Sequence, residues 1–259
     1  MTFKDGTMSD ATQSETTPAK DVEQRLREQV AACTLMLNDQ GILGYSGHVS
    51  ARLPDGRGFL IQSVDQSRAS LTPDLLLVCD PDGHLLSGPA GLKPPSEVFM
   101  HSEILRLRPE VNAVAHFHHD RTTVFTLVDS PKLVAIKNHA VRWASGIPVH
   151  GDPSHVNTPA RGRALAATLG AHHAALIRAH GQIVVAESVP ALFIDCVHFI
   201  ENATAMYDAA LLGCVLPLTA DEIASFLQDL KRDKHVAKLW TYYVGLARVH
   251  GIVQPNWSL

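Results

Sequence analysis

Asn112-Ala113-Val114-Ala115-His116-Phe117-His118 reads as a β-strand with an apolar approach and a histidine at two alternate positions near its end. Side chains alternate across a strand, so His116 and His118 point to the same side, and such a pair is a natural chelate for a divalent cation. The pattern alone is weak, because the chain carries fifteen histidines and the motif arises by chance in such a composition.

Outward from this strand, the chain alternates helix and strand. Upstream, Pro94-Pro95 precede a helix with Ser96 as its N-cap, running from Glu97 to about Leu107 and stopping before Pro109. Glu97 therefore lies in a first helical turn. Downstream, residues 122–128 suit a short helix, and Leu133 to Ile136 a strand. Thr158 to Leu169 is a helix opened by Thr158 with Pro159 at its first position. Ala174 to Ile177 and Ile183 to Val185 are short strands around the turn Ala179-His180-Gly181. Helices follow over Val189 to Leu212, Ala220 to about Lys231, and Ala237 to about Ala247.

Toward the N-terminus, Val22, Leu26, Val30, Cys33, Leu35 and Leu37 recur at helical steps between Asp21 and Gly41. His48 to Arg52 alternates, Pro54-Asp55-Gly56 turns, and Gly58 to Ile61 returns. Leu75 to Cys79 is a buried strand before the turn Asp80-Pro81-Asp82-Gly83. Residues 1–20 are polar and aperiodic, a flexible tail, and 21–259 read as a single domain. Strands in the middle with helices between and after them give a layered α/β domain.

Composition narrows the partners. The formal net charge is −4 and the pI is near 6.4, which favours neither nucleic acid nor an anionic membrane. No apolar run reaches membrane-spanning length and the N-terminus has no signal-peptide core, so a cytoplasmic location is expected. Cys33, Cys79, Cys196 and Cys214 are scattered through apolar stretches without zinc-type spacing, which predicts buried, reduced thiols. A chelate pair, a distant His180 and the carboxylate of Glu97 would give a three-histidine site with an open position, as catalysis needs.

The segments Ser46-Gly47-His48-Val49-Ser50-Ala51-Arg52, Lys93-Pro94-Pro95-Ser96-Glu97, Arg108 through His118, and Ala179-His180-Gly181 stand in an order and spacing that resemble the class II aldolase/adducin family. The resemblance covers Gly44 to Leu212. It implies a three-layer α/β/α fold around a mixed, mostly antiparallel sheet. It also implies one divalent metal ion per subunit on His116, His118 and His180, with Glu97 as a further ligand or the acid/base. Zinc, manganese, iron and cobalt all suit that donor set. Family members usually form homotetramers with active sites at subunit interfaces. The C-terminal pairs Leu239-Trp240 and Tyr242-Tyr243 would close a neighbour's pocket or pack on their own core.

The sequence departs from the sugar-phosphate aldolases where they hold phosphate. His48 replaces an asparagine after Gly47, Val64-Asp65 occupies the turn, and Pro95-Ser96 replaces a serine pair. A phosphate cradle wants N–H groups, hydroxyls and positive charge, and Asp65 opposes a dianion. The tyrosine that donates a proton in fuculose-phosphate aldolase is also missing; Ala135-Ile136-Lys137-Asn138-His139 stands in that region. His139 is a replacement acid or a structural histidine near a subunit contact. Arg121 suits a substrate carboxylate in a fork geometry or pairs with Asp120 or another acidic neighbour, and Arg178 has the same two readings. His48 and Ser96 are further substrate-binding candidates. His101, one turn after Glu97, supports that glutamate or ligates directly, and His172-His173 is expected at the surface.

These departures look most like the branch that decarboxylates hydroxylated aromatic carboxylic acids of the dihydroxyphthalate kind. There a metal on the neighbouring oxygen takes up the charge of carbon–carbon cleavage as an enolate or phenolate. The alternative is a metal-dependent retro-aldolase acting on an unphosphorylated hydroxy-keto acid or sugar-like substrate. Either way the expected partner is a small molecule.

Overall fold

The structure, a computed structural model, describes residues 19–259. The tail expected over residues 1–20 lies outside the described residues except for Ala19 and Lys20, which open the first helix. In chain order the elements are α1 (Ala19–Asp39), β1 (His48–Arg52), β2 (Phe59–Ile61), β3 (Leu77–Cys79), β4 (Leu85–Ser87), α2 (Val98–Leu107), β5 (Ala113–Phe117) and α3 (Asp120–Thr123). There follow β6 (Val149–His150), α4 (Pro159–Leu169), β7 (Ala174–Ile177), β8 (Gly181–Ala186), α5 (Val189–Leu212), α6 (Ala220–Asp229) and α7 (Arg232–Val249).

The eight strands make one sheet in the order β4-β3-β2-β1-β5-β8-β7-β6. Every neighbouring pair is antiparallel except β6 with β7. The expected mixed, mostly antiparallel sheet between helical layers is thus what the chain forms. β5 sits near the centre, and all five of its residues are buried. Its faces divide by parity. Ala113, Ala115 and Phe117 join the core formed with α1 and α5, whereas Val114 joins Met100 and Ile104 of α2 and Leu165 of α4. His116 shares the parity of Val114 and faces the α2 side. A one-residue slip would exchange the two sets, so burying Phe117 on one face fixes where the histidine stands on the other.

Local chemistry starts and stops the helices. Thr158 caps α4 by accepting from the Arg161 amide, with Pro159 behind it, and Ser188 caps α5 by accepting from Ala191. Thr219 and Glu222 close a reciprocal capping box on α6. At α2 the expected cap is displaced by one residue. Glu97, not Ser96, occupies the N-cap, and its side chain makes no cap bond because the carboxylate accepts from the Val156 amide at 3.0 Å.

Other expectations shift for tertiary reasons. Leu133 to Ile136 is not a strand. The Asn202 side chain on α5 donates to the Val134 carbonyl and accepts from the Ile136 and Lys137 amides, replacing a ladder. The helix expected over 122–128 is the short α3 followed by a 3-10 turn, and β4 and β6 were not anticipated. The final helix begins at Arg232 rather than Ala237. It packs Trp240 and Tyr243 on Phe193 of the same chain, while Tyr242 is exposed. Cys33, Cys79 and Cys196 are buried as expected, but Cys214, just past the end of α5, is exposed. His172 and His173 are half-buried rather than at the surface.

Asp195 of α5 is 2% exposed and accepts from Arg142 at 3.1 Å and from Arg232 at 2.8 and 3.0 Å. Burial raises its pKa while the two guanidinium groups pull it back. Removing one member of such a network leaves charge without its partner. Asp195→Ala is therefore expected to lower unfolding free energy by about 3 kcal/mol, and a urea midpoint unchanged from wild type would contradict the role given to it.

Candidate metal centre

β5, β8 and the start of α2 deliver the side chains. His116 is the penultimate residue of β5, His118 follows that strand directly, His180 precedes β8, and Glu97 is the N-cap of α2. One ligand atom from each of Glu97, His116, His118 and His180 lies within 4.8 Å of all the others. His116 Nε2 is 2.9 Å from His118 Nε2 and 3.6 Å from Glu97 Oε2, and His180 Nε2 is 3.6 Å from Glu97 Oε1.

Two glycines permit the approach. A Cβ at Gly47 would meet the His116 carbonyl oxygen at 2.6 Å, and one at Gly181 would meet the Phe117 carbonyl oxygen at 2.5 Å and His118 Cδ2 at 2.7 Å. Ala179, just before His180, holds a left-handed φ of 52°, which a residue with a Cβ rarely adopts. Its amide donates to Thr126 Oγ1 at 3.0 Å, so the turn that presents His180 is fixed against the segment after α3.

The donors fit a divalent cation. A carbonyl oxygen only accepts, so His116 Nδ1, 3.0 Å from the Gln182 carbonyl, carries the proton and leaves Nε2 with a free lone pair. Both ring nitrogens of His180 are buried without a hydrogen-bond partner. Burial lowers the pKa of His116 far below the ordinary histidine value and lowers those of His118 and His180, with neighbouring imidazoles adding to it at His116 and His118. The imidazoles are thus neutral at neutral pH. Glu97 is 5% exposed and faces these neutral rings with one amide bond for support. A buried carboxylate so placed lacks a counter-charge, and a metal ion supplies one.

The other expected site residues divide. His48 stands beside the centre, 4% exposed, with Nε2 at 3.9 Å from Glu97 Oε2. His101 does not support Glu97; it backs His48. Its Nε2 is 2.6 Å from His48 Nδ1, and its Nδ1 is 2.6 Å from Ser50 Oγ. Ser96 is exposed beside the carboxylate. Arg121 lies over the Tyr207 ring at 4.1 Å and 3.9 Å from Asp208, so it takes the pairing reading with a different acid from Asp120. Arg178 is exposed. His139 groups with His198 and Glu201, apart from the four clustered residues.

Two neighbours escaped sequence reasoning. His155 places Nδ1 3.6 Å from Glu97 Oε1, from a loop before α4 that carries no motif. Arg68, 6% exposed, donates from Nε to the Gly47 carbonyl and from Nη1 to the carbonyls of Val64 and Gln66. It fastens the loop holding Asp65 to the residue before His48, and its charge contributes to the lowered His48 pKa. A lone arginine beside an aspartate gave no signal.

The profile of the class II aldolase and adducin N-terminal domain matches residues 27–207. The chain belongs to this family. An L-fuculose phosphate aldolase of Methanococcus maripaludis is 32% identical over 104 residues, which are 40% of this chain and 54% of that protein, so the match spans about half of its length. A 3,4-dihydroxyphthalate decarboxylase of Arthrobacter keyseri is 28% identical over 238 residues, 86% of this chain and 93% of that one. Among solved structures, the L-fuculose 1-phosphate aldolase of Glaciozyma antarctica superposes with a TM-score of 0.79 over 91% of this chain and 93% of its own, at 17% identity. That superposition shows a shared class II aldolase fold.

The buried imidazoles also set a pH dependence for the metal-free protein. Burial lowers His101 to about 3. Above about pH 6.5 neither the folded nor the unfolded chain protonates it. Below that, the unfolded chain takes a proton that the folded chain refuses. Each such histidine therefore removes about 1.4 kcal/mol of stability per pH unit as pH falls from about 6.5 toward its folded value. Urea unfolding of metal-free protein between pH 7 and pH 5 is expected to show this loss, and His101→Gln should flatten the slope by about one proton. An identical slope in that variant would contradict the assignment.

Proposed function

We propose that the chain is a divalent-metal-dependent carbon–carbon lyase that decarboxylates a hydroxylated aromatic carboxylic acid. The observation that carries this reading is the near full-length alignment with 3,4-dihydroxyphthalate decarboxylase. The residues around the site agree with it: His48 in the position after Gly47, and Asp65 in the turn that a phosphate would need.

His116, His118 and His180 would hold the ion, with Glu97 as a further donor or as the acid/base. When bound, the ion acts as a Lewis acid toward the negative charge that develops on a substrate oxygen as the carbon–carbon bond breaks. The chain's own groups supply the rest. Glu97, which accepts from the Val156 amide, would carry a proton between its carboxylate oxygen and the substrate. His48 presents Nε2 toward the same carboxylate, and the His101–Ser50 pair fixes its ring. Arg68 adds a buried positive charge near His48, which favours a substrate carboxylate on that side. Within one chain neither Arg121 nor His139 joins this group. They would act only across a subunit contact, as in a homotetramer whose active sites lie at interfaces.

The similarity to the fuculose phosphate aldolase supports a second reading, retro-aldol cleavage of an unphosphorylated hydroxy-keto acid. Both readings share the metal and Glu97, and they separate by product. Metal-loaded protein given hydroxylated aromatic diacids such as 3,4-dihydroxyphthalate is expected to release carbon dioxide. Release of pyruvate or an aldehyde from hydroxy-keto acids, with no carbon dioxide from the diacids, would replace the first reading by the second. Glu97→Gln is expected to reduce kcat by roughly 10²–10⁴-fold, the range for a lost acid/base. Full kcat in that variant would remove Glu97 from the reaction. No helix of the described residues is long and apolar enough to cross a membrane.

A further inference from the structure

A second group of donors stands apart from the centre described above. His198 and Glu201 lie three residues apart on α5, one helical turn, so both point from one face of the helix. His139, on the 3-10 helix Asn138–Trp143, packs its ring on that of His198 with centroids 4.2 Å apart and planes 21° from parallel. One ligand atom from each of His139, His198 and Glu201 lies within 4.8 Å of the other two. His118 and His180 in the first centre share this stacked arrangement, at 4.9 Å and 26°. Among the described residues, His139 Nε2 is buried and makes no hydrogen bond, although Glu201 Oε2 is only 3.3 Å away. A cavity of about 220 Å³ adjoins the two histidines and is lined also by His173 and His235.

We infer that His139, His198 and Glu201 form a second metal site, which takes a borderline divalent transition ion such as Zn²⁺ or Co²⁺. Two imidazoles and a carboxylate are the donor types such ions prefer, and the remaining positions are left to water or to His235. Burial keeps the His139 and His198 rings neutral, at about 4 and about 3, so their lone pairs are free at neutral pH. Glu201 is half-exposed, which opens the site to solvent. Lys137 Nζ is 3.7 Å from Glu201 Oε2 and competes with a cation for that oxygen. The second site is accordingly weaker than the first, which has three imidazoles, a buried carboxylate and no competing ammonium among the described residues. A bound ion would tie the segment Asn138–Trp143 to α5.

The test is the stoichiometry and affinity of Zn²⁺ and Co²⁺ binding to metal-stripped full chain, followed by calorimetry and by the visible absorption of Co²⁺. Wild type is expected to take up two equivalents, the second more weakly. His198→Gln and the half-exposed Glu201→Gln should each lose the second equivalent or weaken it at least tenfold, with the first unchanged. The paired variant His116→Gln/His118→Gln should lose the first and keep the second. Lys137→Ala should tighten the second several-fold, a gain that damage to folding does not produce. A single equivalent in wild type, or a second equivalent of unchanged affinity in both His198→Gln and Glu201→Gln, would overturn the inference.

Discussion

His116 donates from Nδ1 to the main-chain oxygen of Gln182 on the neighbouring strand, and the geometry of the centre follows from that bond. It fixes the tautomer, turns Nε2 toward Glu97 and His118, and anchors a side chain that has no exposed surface. The bond exists only in the register that pairs His116 with Ile183 and His48 with His116, and that register is held by the apolar side chains of alternate parity on β5. Phe117 and Val114 thus do as much to build the site as the histidines themselves.

The centre is a concentration of neutral nitrogen around one negative oxygen pair. Taking imidazoles out of water disfavours their charged forms, and placing them side by side disfavours them further. What remains is a set of lone pairs aimed at one point, together with a carboxylate that, among the described residues, accepts a hydrogen bond from the Val156 amide alone. In water such a group would scatter or protonate. Here the glycines at 47 and 181 let the backbones close in, and the protein interior prevents relaxation.

Around this shared core, the surroundings choose the chemistry. The Ser50–His101–His48 file and the backbone-tethered Arg68 stand beside Glu97 and next to Gly47. Both are buried, the histidines held by each other and by Ser50, and Arg68 by main-chain carbonyls. The same pairing of stacked imidazoles with one carboxylate recurs at His139, His198 and Glu201, on the 3-10 helix Asn138–Trp143 and α5.

Features that depend on local periodicity and spacing are legible in the residues alone. The central strand, the shared face of His116 and His118, the cap at Thr158, and the motif order that joins Glu97 and His180 to the pair are of this kind. Features that depend on partners far along the chain emerge only on folding. Leu133 to Ile136 has the composition of a strand but takes its hydrogen bonds from Asn202, some 70 residues later. His101 sits one turn from Glu97 but bonds to His48, because the α2 face that carries it packs over β1. His155 and Arg68 reach the centre from loops, and loop geometry has no period to read. A pattern reports which face a residue occupies; only packing determines what stands across from it.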